Sequence, residues 1–128
     1  MKRTVPLRMN YEFSRVYKRG HFLTGSLVVV HYLKRKNQDG QNRLGVTVSR
    51  GVSGSVHRNR VKRLLRESYR LQEDQLCLGY DLIITGRQRD PMPTFAQIDR
   101  ELGRILRRTG IRKPPETLPS GSGSGGEQ

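Results

Sequence analysis

The sequence predicts an α+β protein, a two-layer α/β sandwich in which helices pack against one central sheet. Two kinds of pattern predict it. Short runs that are rich in β-branched residues, or that alternate apolar and polar side chains, indicate strands, and other segments repeat apolar residues at helical spacing. Their order along the 128 residues is roughly α-β-β-β-α-β-α, which is typical of one small domain with a single sheet.

The first half of the chain predicts one helix and two or three strands. The helix is expected to begin with Asn10 as its cap and to end at Gly20. Residues 27–33 are rich in β-branched side chains, so we expect a strand that is largely buried on both faces. Residues 44–48 alternate as a half-buried strand does, and residues 21–24 predict a short extra strand.

The second half predicts helix, strand and helix. In a helix over residues 58–71, one apolar stripe is expected, formed by Val61, Leu64, Leu65 and Ser68. A strand follows over residues 80–85. Thr94 and Gln97 have the spacing of a capping box at the start of the last helix. That helix has one apolar face, which consists of Phe95, Ile98, Leu102, Ile105 and Leu106.

Charge divides the chain into two parts. Residues 1–113 hold all 25 lysines and arginines and nine of the 11 acidic residues, a net charge of +16. This density of positive charge opposes a compact isolated protein and favours phosphate neighbours. Residues 114–128 hold no basic residue and are rich in Pro, Gly and Ser, so we expect one RNA-binding domain over 1–113 and a disordered tail over 114–128.

The predicted middle helix concentrates this charge. With its apolar stripe turned inward, its polar side chains are expected on the opposite side. These residues are Arg58, Asn59, Lys62, Arg63, Arg66 and Arg70, with Arg60 at the edge of the arc. A solvated basic face normally interleaves acids at i+4 spacing, and here only Glu67 is present. The pattern therefore favours contact with nucleic acid over simple solvation.

Several other chemistries find no support in the sequence. The single cysteine, Cys77, excludes an internal disulfide framework and a cysteine-rich zinc site, and we expect it to fill space in the core. His21, His31 and His57 do not lie at metal-ligand spacing, and the carboxylates are scattered. We therefore expect no catalytic residue and no metal site in the protein itself. Residues 51–55 lack the Gly-Lys-Ser/Thr ending of a phosphate-binding loop.

The expected location is the cytoplasm. No apolar run is long enough to span a bilayer, and the N-terminal residues lack the apolar segment of a signal peptide. The basic faces also lack the large apolar counterface of a helix that lies on a membrane. We therefore expect no membrane partner.

Four segments together resemble the bacterial ribonuclease P protein component family. The family has a strand ending in Val-Ser-Lys, a short loop, and a helix that opens with Arg-Asn-Arg and continues Lys-Arg-x-x-Arg. A first helix of the type Phe-x-x-Val-Tyr-x-x-Gly and a late apolar strand are also similar. The matching segments here are Phe13–Gly20, Val48–Arg50, Arg58–Glu67 and Tyr80–Ile84, within about residues 7–106.

The resemblance implies a protein subunit that assists a catalytic RNA in removing the 5′ leader from precursor tRNA. In the family the RNA performs the hydrolysis and binds the magnesium, and the protein alone is inactive. The partners implied are the catalytic RNA and precursor tRNA, with no obligatory protein partner. A left-handed strand–helix–strand crossover is also implied, against the usual rule of handedness.

The resemblance also assigns two sets of contact residues. The catalytic RNA is expected at Arg58, Asn59, Arg60, Lys62, Arg63 and Arg66, to which the basic face adds Arg70. The leader is expected in a cleft between the first helix and the sheet, at Phe13, Tyr17, His31 and Arg50. At the position of His31 the family often carries an aromatic residue, so stacking at this position is expected from an imidazole or not at all.

Taken by themselves, the residues leave other classes of protein open. Composition and charge fit equally well a structural RNA-binding protein of the ribosomal-protein type, without a role in cleavage. An autonomous nuclease would need an acid–base pair that the sequence does not place together. A helix–turn–helix regulator would need a recognition helix packed on a preceding helix, but residues 44–49, which precede the basic helix, predict a strand. Phe13 and His31 also fit ordinary core positions.

Overall fold

Five strands form one mixed sheet. The computed structural model of the chain describes residues 3–36, 40–49, 54–87, 89 and 91–113, so the predicted tail over 114–128 lies outside the described residues. The strands are β1 (Thr4–Pro6), β2 (His21–Thr24), β3 (Val28–Lys34), β4 (Asn42–Val48) and β5 (Tyr80–Gly86). The helices are α1 (Asn10–Arg19), α2 (Ser55–Gln72) and α3 (Phe95–Thr109). The α+β class and the single central sheet are confirmed.

The strand order in the sheet is β1-β4-β5-β3-β2. β1 is parallel to β4 and β4 is parallel to β5, whereas β3 runs antiparallel to both β5 and β2. The chain therefore passes from β4 through α2 to a neighbouring parallel strand, which is the strand–helix–strand unit that the family resemblance implies. The left hand of that crossover stays a prediction.

The sequence did not predict β1. This edge strand has three residues and ends in a proline, which is too short for a period-two pattern to appear. It is held by long-range bonds, from Asn42 N to Arg3 O at 2.9 Å and from Leu7 N to Leu44 O at 2.9 Å. Thr4 Oγ1 also lies 2.8 Å from the Tyr69 hydroxyl of α2. The strand therefore exists because of its neighbours.

The main core lies between the sheet and the pair α2 and α3. Leu82 and Ile84 of β5 point into it and are fully buried, and they meet Leu65 of α2 and Leu102 of α3. The predicted stripe of α2 is confirmed, because its residues are buried apart from a half-buried Leu64. Ser68 Oγ donates to Asp99 Oδ1 at 2.6 Å, which ties α2 to α3.

The other face of the sheet is covered in part by α1. Val16 of α1 packs with Leu7 and with Ile83, whose side chain alternates with those of the main core. Because one short helix cannot cover the whole face, β3 is buried on its main-core face and only half-buried at Val29 and His31. The expectation that β3 is buried on both faces is therefore wrong, and a part of the sheet remains accessible beside α1.

Helix ends differ from the sequence patterns in two places. Asn10 is the first residue of α1 and Met9 is its cap, so the predicted cap is wrong. Glu12 supplies the capping instead, because its Oε1 accepts bonds from the N–H groups of Arg8 and Met9 at 2.9 and 3.0 Å. α2 begins at Ser55, three residues earlier than predicted, after Gly54 in a left-handed conformation (φ +84°).

Two further predictions have opposite outcomes. The capping box of α3 is confirmed, since Gln97 N donates to Thr94 Oγ1 and Thr94 N donates to Gln97 Oε1. Cys77, by contrast, is only half-buried. Its N–H bonds to Ile111 O at 2.7 Å, beside an isolated antiparallel bridge between Leu76 and Arg112, which holds the residue at the rim of the core. The prediction that Cys77 fills the core is therefore wrong.

Candidate nucleic-acid interface

The solvent side of α2 presents a continuous basic face. Because the buried stripe anchors α2 on the core, the side chains half a turn away face water. The exposed members of the predicted set are Arg58, Asn59, Arg60, Arg63, Arg66 and Arg70, and Lys62 is half-buried. A shallow groove on this face is lined by Asn59, Arg63, Arg66, Glu67 and Arg70. The structure therefore places the predicted RNA-facing residues of α2 within reach of a large partner.

Arg58 reaches the surface for a different reason. It lies three residues before Val61, so helical spacing puts it on the side of the buried stripe and not on the opposite arc. It is exposed because the first turns of α2, from Ser55 to Arg60, are exposed as a whole. Arg58 and Arg60 therefore extend the basic surface around the N-terminal end of the helix.

One ion pair lies within the basic face of α2. Arg70 Nε donates to Glu67 Oε1 at 3.1 Å, and a second guanidinium nitrogen binds the other carboxylate oxygen. The hydrogen bond from Arg70 lowers the pKa of Glu67 and raises that of Arg70, so both remain charged. Among the described residues, no carboxylate pairs with Arg60, Arg63 or Arg66, so these charges are available to a polyanion.

An aromatic trio lies beside α1 on the accessible part of the sheet. It consists of Tyr17, Phe22 and His31. Tyr17 of α1 meets His31 of β3 edge-on, with ring centroids 4.8 Å apart. Phe22 of β2 stacks on the same imidazole at 5.4 Å, with an interplanar angle of 28°. Tyr17 and Phe22 are 47% and 63% exposed, so the trio presents ring surface to solvent.

Phe13 is separated from this trio. Its ring lies over Gly45 of β4, where an added Cβ would come within 2.5 Å of Phe13 Cε2. It packs with Leu7, Val16 and Ile83 in the smaller core cluster and is half-buried. Gly45 is thus required by the close approach of an aromatic ring, and Phe13 packs α1 against the sheet. The predicted contact of Phe13 with the leader stays a prediction.

Burial favours the neutral form of the His31 imidazole. Burial lowers the pKa of its imidazole below the ordinary value of 6.5. Its Nδ1 atom is buried and has no hydrogen-bond partner among the described residues. The imidazole contacts both aromatic neighbours, and its role as a stacking plane for the leader stays a prediction.

The accessible sheet surface continues from the trio toward the ends of β4 and β5. Thr47 and Thr85 share this face and lie 3.0 Å apart through their hydroxyl oxygens. Ser49, which ends this path, donates its N–H to Gly86 O at 2.8 Å. We call the surface from the aromatic trio to Ser49 the leader cleft, after the prediction that it receives the leader. The predicted leader residue Arg50 lies outside the described residues.

Phe22 is the aromatic residue of this site that the sequence did not indicate. A short strand was expected at this place, but nothing in its local pattern distinguishes one exposed aromatic from another. The signal lies in the pairing of β2 with β3, which sets Phe22 directly opposite His31. Cross-strand partners on one face are close enough for their rings to stack.

Four of the scattered carboxylates, Glu12, Asp81, Asp99 and Glu101, are engaged in structural contacts. Glu12 caps α1, and Glu101 accepts bonds from Ser26 Oγ and from the N–H groups of Leu27 and Val28. Asp81 is fully buried and pairs with arginines, described below. No three His, Cys, Asp or Glu side chains among the described residues cluster so as to hold a metal ion. None of the described helices is long and apolar enough to cross a membrane.

These features define a class of protein. An α+β domain with a basic helix on one face of its sheet and exposed aromatic rings on the other combines the two elements of RNA recognition, phosphate contact and base stacking. The Ribonuclease P family matches residues 1–110 of the chain. This match decides between the two RNA-binding classes that composition leaves open.

Curated relatives and solved structures agree with that match. The ribonuclease P protein component of Clostridium novyi (strain NT) is 39% identical over 111 residues, which are 87% of this chain and 98% of that protein. The protein of that name from Clostridium botulinum (strain Loch Maree / Type A3) is 42% identical over 106 residues, covering 82% and 94%.

Two solved structures share the fold. The RNase P protein of Staphylococcus aureus gives a TM-score of 0.75 at 30% identity, covering 84% of this chain and 97% of that one. The RNase P protein of Thermotoga maritima gives 0.71 at 26% identity, covering 80% and 96%. The chain belongs to the family of ribonuclease P protein components, the protein subunits of the endoribonuclease that matures the 5′ end of tRNA.

Proposed function

We propose that this protein binds two RNAs at once, the catalytic RNA of ribonuclease P on the basic face of α2 and the 5′ leader of precursor tRNA in the leader cleft. The observation that carries the proposal is that the basic helix and the aromatic rings lie on opposite faces of the sheet. α2 packs on the face of Leu82 and Ile84, whereas α1 and the aromatic trio lie on the face of Ile83. One small domain thus offers two different RNA-binding surfaces.

The α2 face suits a folded RNA. Its arginines contact phosphates without reading sequence, and planar guanidinium groups bind phosphate oxygens in pairs. A buried stripe holds the helix rigidly on the core, so the cations keep fixed spacing. A folded RNA with a fixed arrangement of phosphates benefits from such a rigid surface more than a flexible strand does.

The leader cleft suits an unpaired strand. Bases of a single strand stack on aromatic rings whatever their sequence, and Tyr17, Phe22 and His31 supply three adjacent planes. The hydroxyls of Thr47 and Thr85 add hydrogen-bonding groups along the same surface. A site of this kind accepts leaders of many sequences, as a processing enzyme for all tRNAs requires.

In this proposal the chemistry belongs to the RNA. Glu12, Asp81, Asp99 and Glu101 are held by helix capping, hydrogen bonds and ion pairs, so these residues do not fit a magnesium site, and magnesium would be held mainly by RNA phosphates. The contribution of the protein is electrostatic and positional: its net charge of +16 over residues 1–113 reduces the repulsion between two polyanions. We place this activity in the bacterial cytoplasm.

A magnesium series tests the proposal. Single-turnover cleavage of precursor tRNA is measured with catalytic RNA alone, with protein alone and with both. We expect no cleavage by protein alone, cleavage by RNA alone at high magnesium, and a lower magnesium requirement when protein is added. Cleavage at the correct 5′ position by protein alone, or an RNA that stays inactive at every magnesium concentration, contradicts the proposal.

A further inference from the structure

A second concave surface lies on the other flank of α1, which none of the predicted RNA contacts uses. α1 crosses the sheet, with Phe13 over Gly45 in β4 and Tyr17 against His31 in β3. One flank of the helix borders the leader cleft. The opposite flank borders a pocket at the C-terminal end of β3, which we call the basic pocket and whose main polar lining is Tyr11, Arg15, Arg19, Lys34 and Lys36, with Arg35 and Arg43 at its base.

A buried carboxylate organises the base of the pocket. Arg43 binds Asp81 through two nitrogens, at 2.8 and 2.9 Å, and Arg35 donates to the same carboxylate at 2.9 Å. Arg15 of α1 approaches it at 3.5 Å. Arg43 also pairs with Glu12. The pocket is lined by six cations, of which Arg15, Arg35 and Arg43 bind these two carboxylates, so its described part keeps a local excess of positive charge.

The rim of the pocket supplies the charges that face solvent. Arg19, Lys34 and Lys36 are exposed, and no carboxylate among the described residues pairs with them. Tyr11 is 66% exposed at the same rim, so its ring is accessible for stacking. Convergent cations beside an accessible aromatic ring are the elements of a site for single-stranded nucleic acid.

We infer that the basic pocket binds the phosphate backbone of the leader upstream of the nucleotides that stack on the aromatic trio. The inference rests on the proposed function of the leader cleft. Both surfaces are built on α1: Tyr17 lies on one flank, and Arg19, two residues later, lies on the other. Exposed Lys18 lies between them on the outer side of the last turn. A flexible strand that leaves the trio across this turn meets a continuous row of cations.

The position of the pocket favours the leader over the catalytic RNA. α2 packs against the opposite face of the sheet, so a rigid RNA seated on α2 faces away from the basic pocket. A single strand that already occupies the leader cleft needs only to continue past the end of one short helix. The occupant is therefore the distal part of the leader, recognised through its charge and not through its sequence.

Leader length provides the test. Holoenzyme is reconstituted with the catalytic RNA and either wild-type protein or the variant Arg19→Gln/Lys34→Gln. Equilibrium affinity is measured for mature tRNA and for precursor tRNAs with a series of leader lengths, each at several salt concentrations. The matched control is Arg100→Gln/Arg108→Gln, which removes the same charge from exposed positions on α3.

We expect the Arg19→Gln/Lys34→Gln variant to lose affinity about three- to tenfold for long leaders only, with a salt slope reduced by about 0.7 for each lost phosphate contact. Mature tRNA and short leaders should bind as they do to wild type. An equal loss for every substrate, weaker assembly with the catalytic RNA, or behaviour that matches the α3 control overturns the inference. The proposed function is tested separately: wild-type protein should stimulate the cleavage of precursor tRNA with a short leader, whether or not the basic pocket binds the distal leader.

Discussion

Phe22 stacks on His31 across the β2–β3 pair, with ring centroids 5.4 Å apart. The two residues come from neighbouring strands, and Tyr17 reaches the same imidazole from α1. Three separate elements thus build one aromatic surface. Phe22 is 63% exposed, so part of its ring is open to solvent, where a base can stack.

Removing either exposed ring of the trio should weaken leader binding. Tyr17→Ala or Phe22→Ala should cost about 1–3 kcal/mol in the binding of precursor tRNA to the holoenzyme, because base–aromatic stacking contributes about that much per base. Binding of mature tRNA should not change. The measurement is the affinity of the holoenzyme for the two substrates, side by side.

The conservative variant Tyr17→Phe is the control for this prediction. It keeps the ring and loses the hydroxyl, so it should bind the leader nearly as wild type does. If Tyr17→Ala and Phe22→Ala weaken the binding of mature tRNA as much as that of precursor tRNA, the trio has a structural role or contacts another part of the complex.

The basic face of α2 should dominate binding to the catalytic RNA. Arg60→Ala and Arg63→Ala each remove an exposed cation without a carboxylate partner among the described residues. Each should weaken the protein–RNA complex and lower the salt slope by about one phosphate contact. The control is Arg108→Ala on α3, which removes the same charge elsewhere. Unchanged affinity and slope for both α2 variants would exclude this face as the binding surface.

Gly45 should tolerate no side chain while Phe13 is present. Gly45→Ala should lower the free energy of unfolding by about 1–3 kcal/mol, the usual cost of overpacking, because the new methyl group would lie 2.5 Å from Phe13 Cε2. Phe13→Leu removes the ring that causes the clash. In the double variant, Gly45→Ala should therefore cost clearly less than in wild type, a coupling that denaturant unfolding measures. If the destabilising effects of Gly45→Ala and Phe13→Leu are simply additive, the ring of Phe13 does not limit the size of the side chain at position 45.

Acidification should weaken the fold through His31. Burial lowers the pKa of His31 in the folded protein below the ordinary 6.5. As pH falls through 6.5, the unfolded chain therefore binds a proton before the folded protein does, and the free energy of unfolding decreases. The contribution of neutral His31 to the free energy of unfolding is fully present above pH 6.5 and is lost as the pH falls below it. His31→Phe cannot titrate at this position, so wild type should lose stability relative to it in denaturant unfolding at decreasing pH. If the difference in unfolding free energy between wild type and His31→Phe stays constant as the pH falls, or changes in favour of wild type, the assigned direction of the pKa shift of His31 is contradicted.

Local pattern was sufficient for the elements with strong periodicity. The apolar face of α3, the stripe of α2 and the strands β3, β4 and β5 follow from the pattern of apolar side chains, and the capping box of α3 follows from the spacing of Thr94 and Gln97. The basic face of α2 follows from the same spacing, because residues that cannot be buried must occupy the side away from the core. Together with the Arg-Asn-Arg motif, these patterns were enough to indicate the family.

What the sequence by itself determined is therefore the α+β class, most of the elements and the RNA-binding helix, all of which depend on neighbours within a few residues. Only the tertiary structure decided which residues from distant segments meet. It paired β1 with β4, set Phe22 against His31, placed Phe13 over Gly45, and gathered three arginines around Asp81. These contacts depend on strand register and on how α1 crosses the sheet. Both arise from packing across the whole domain, and no local pattern records them.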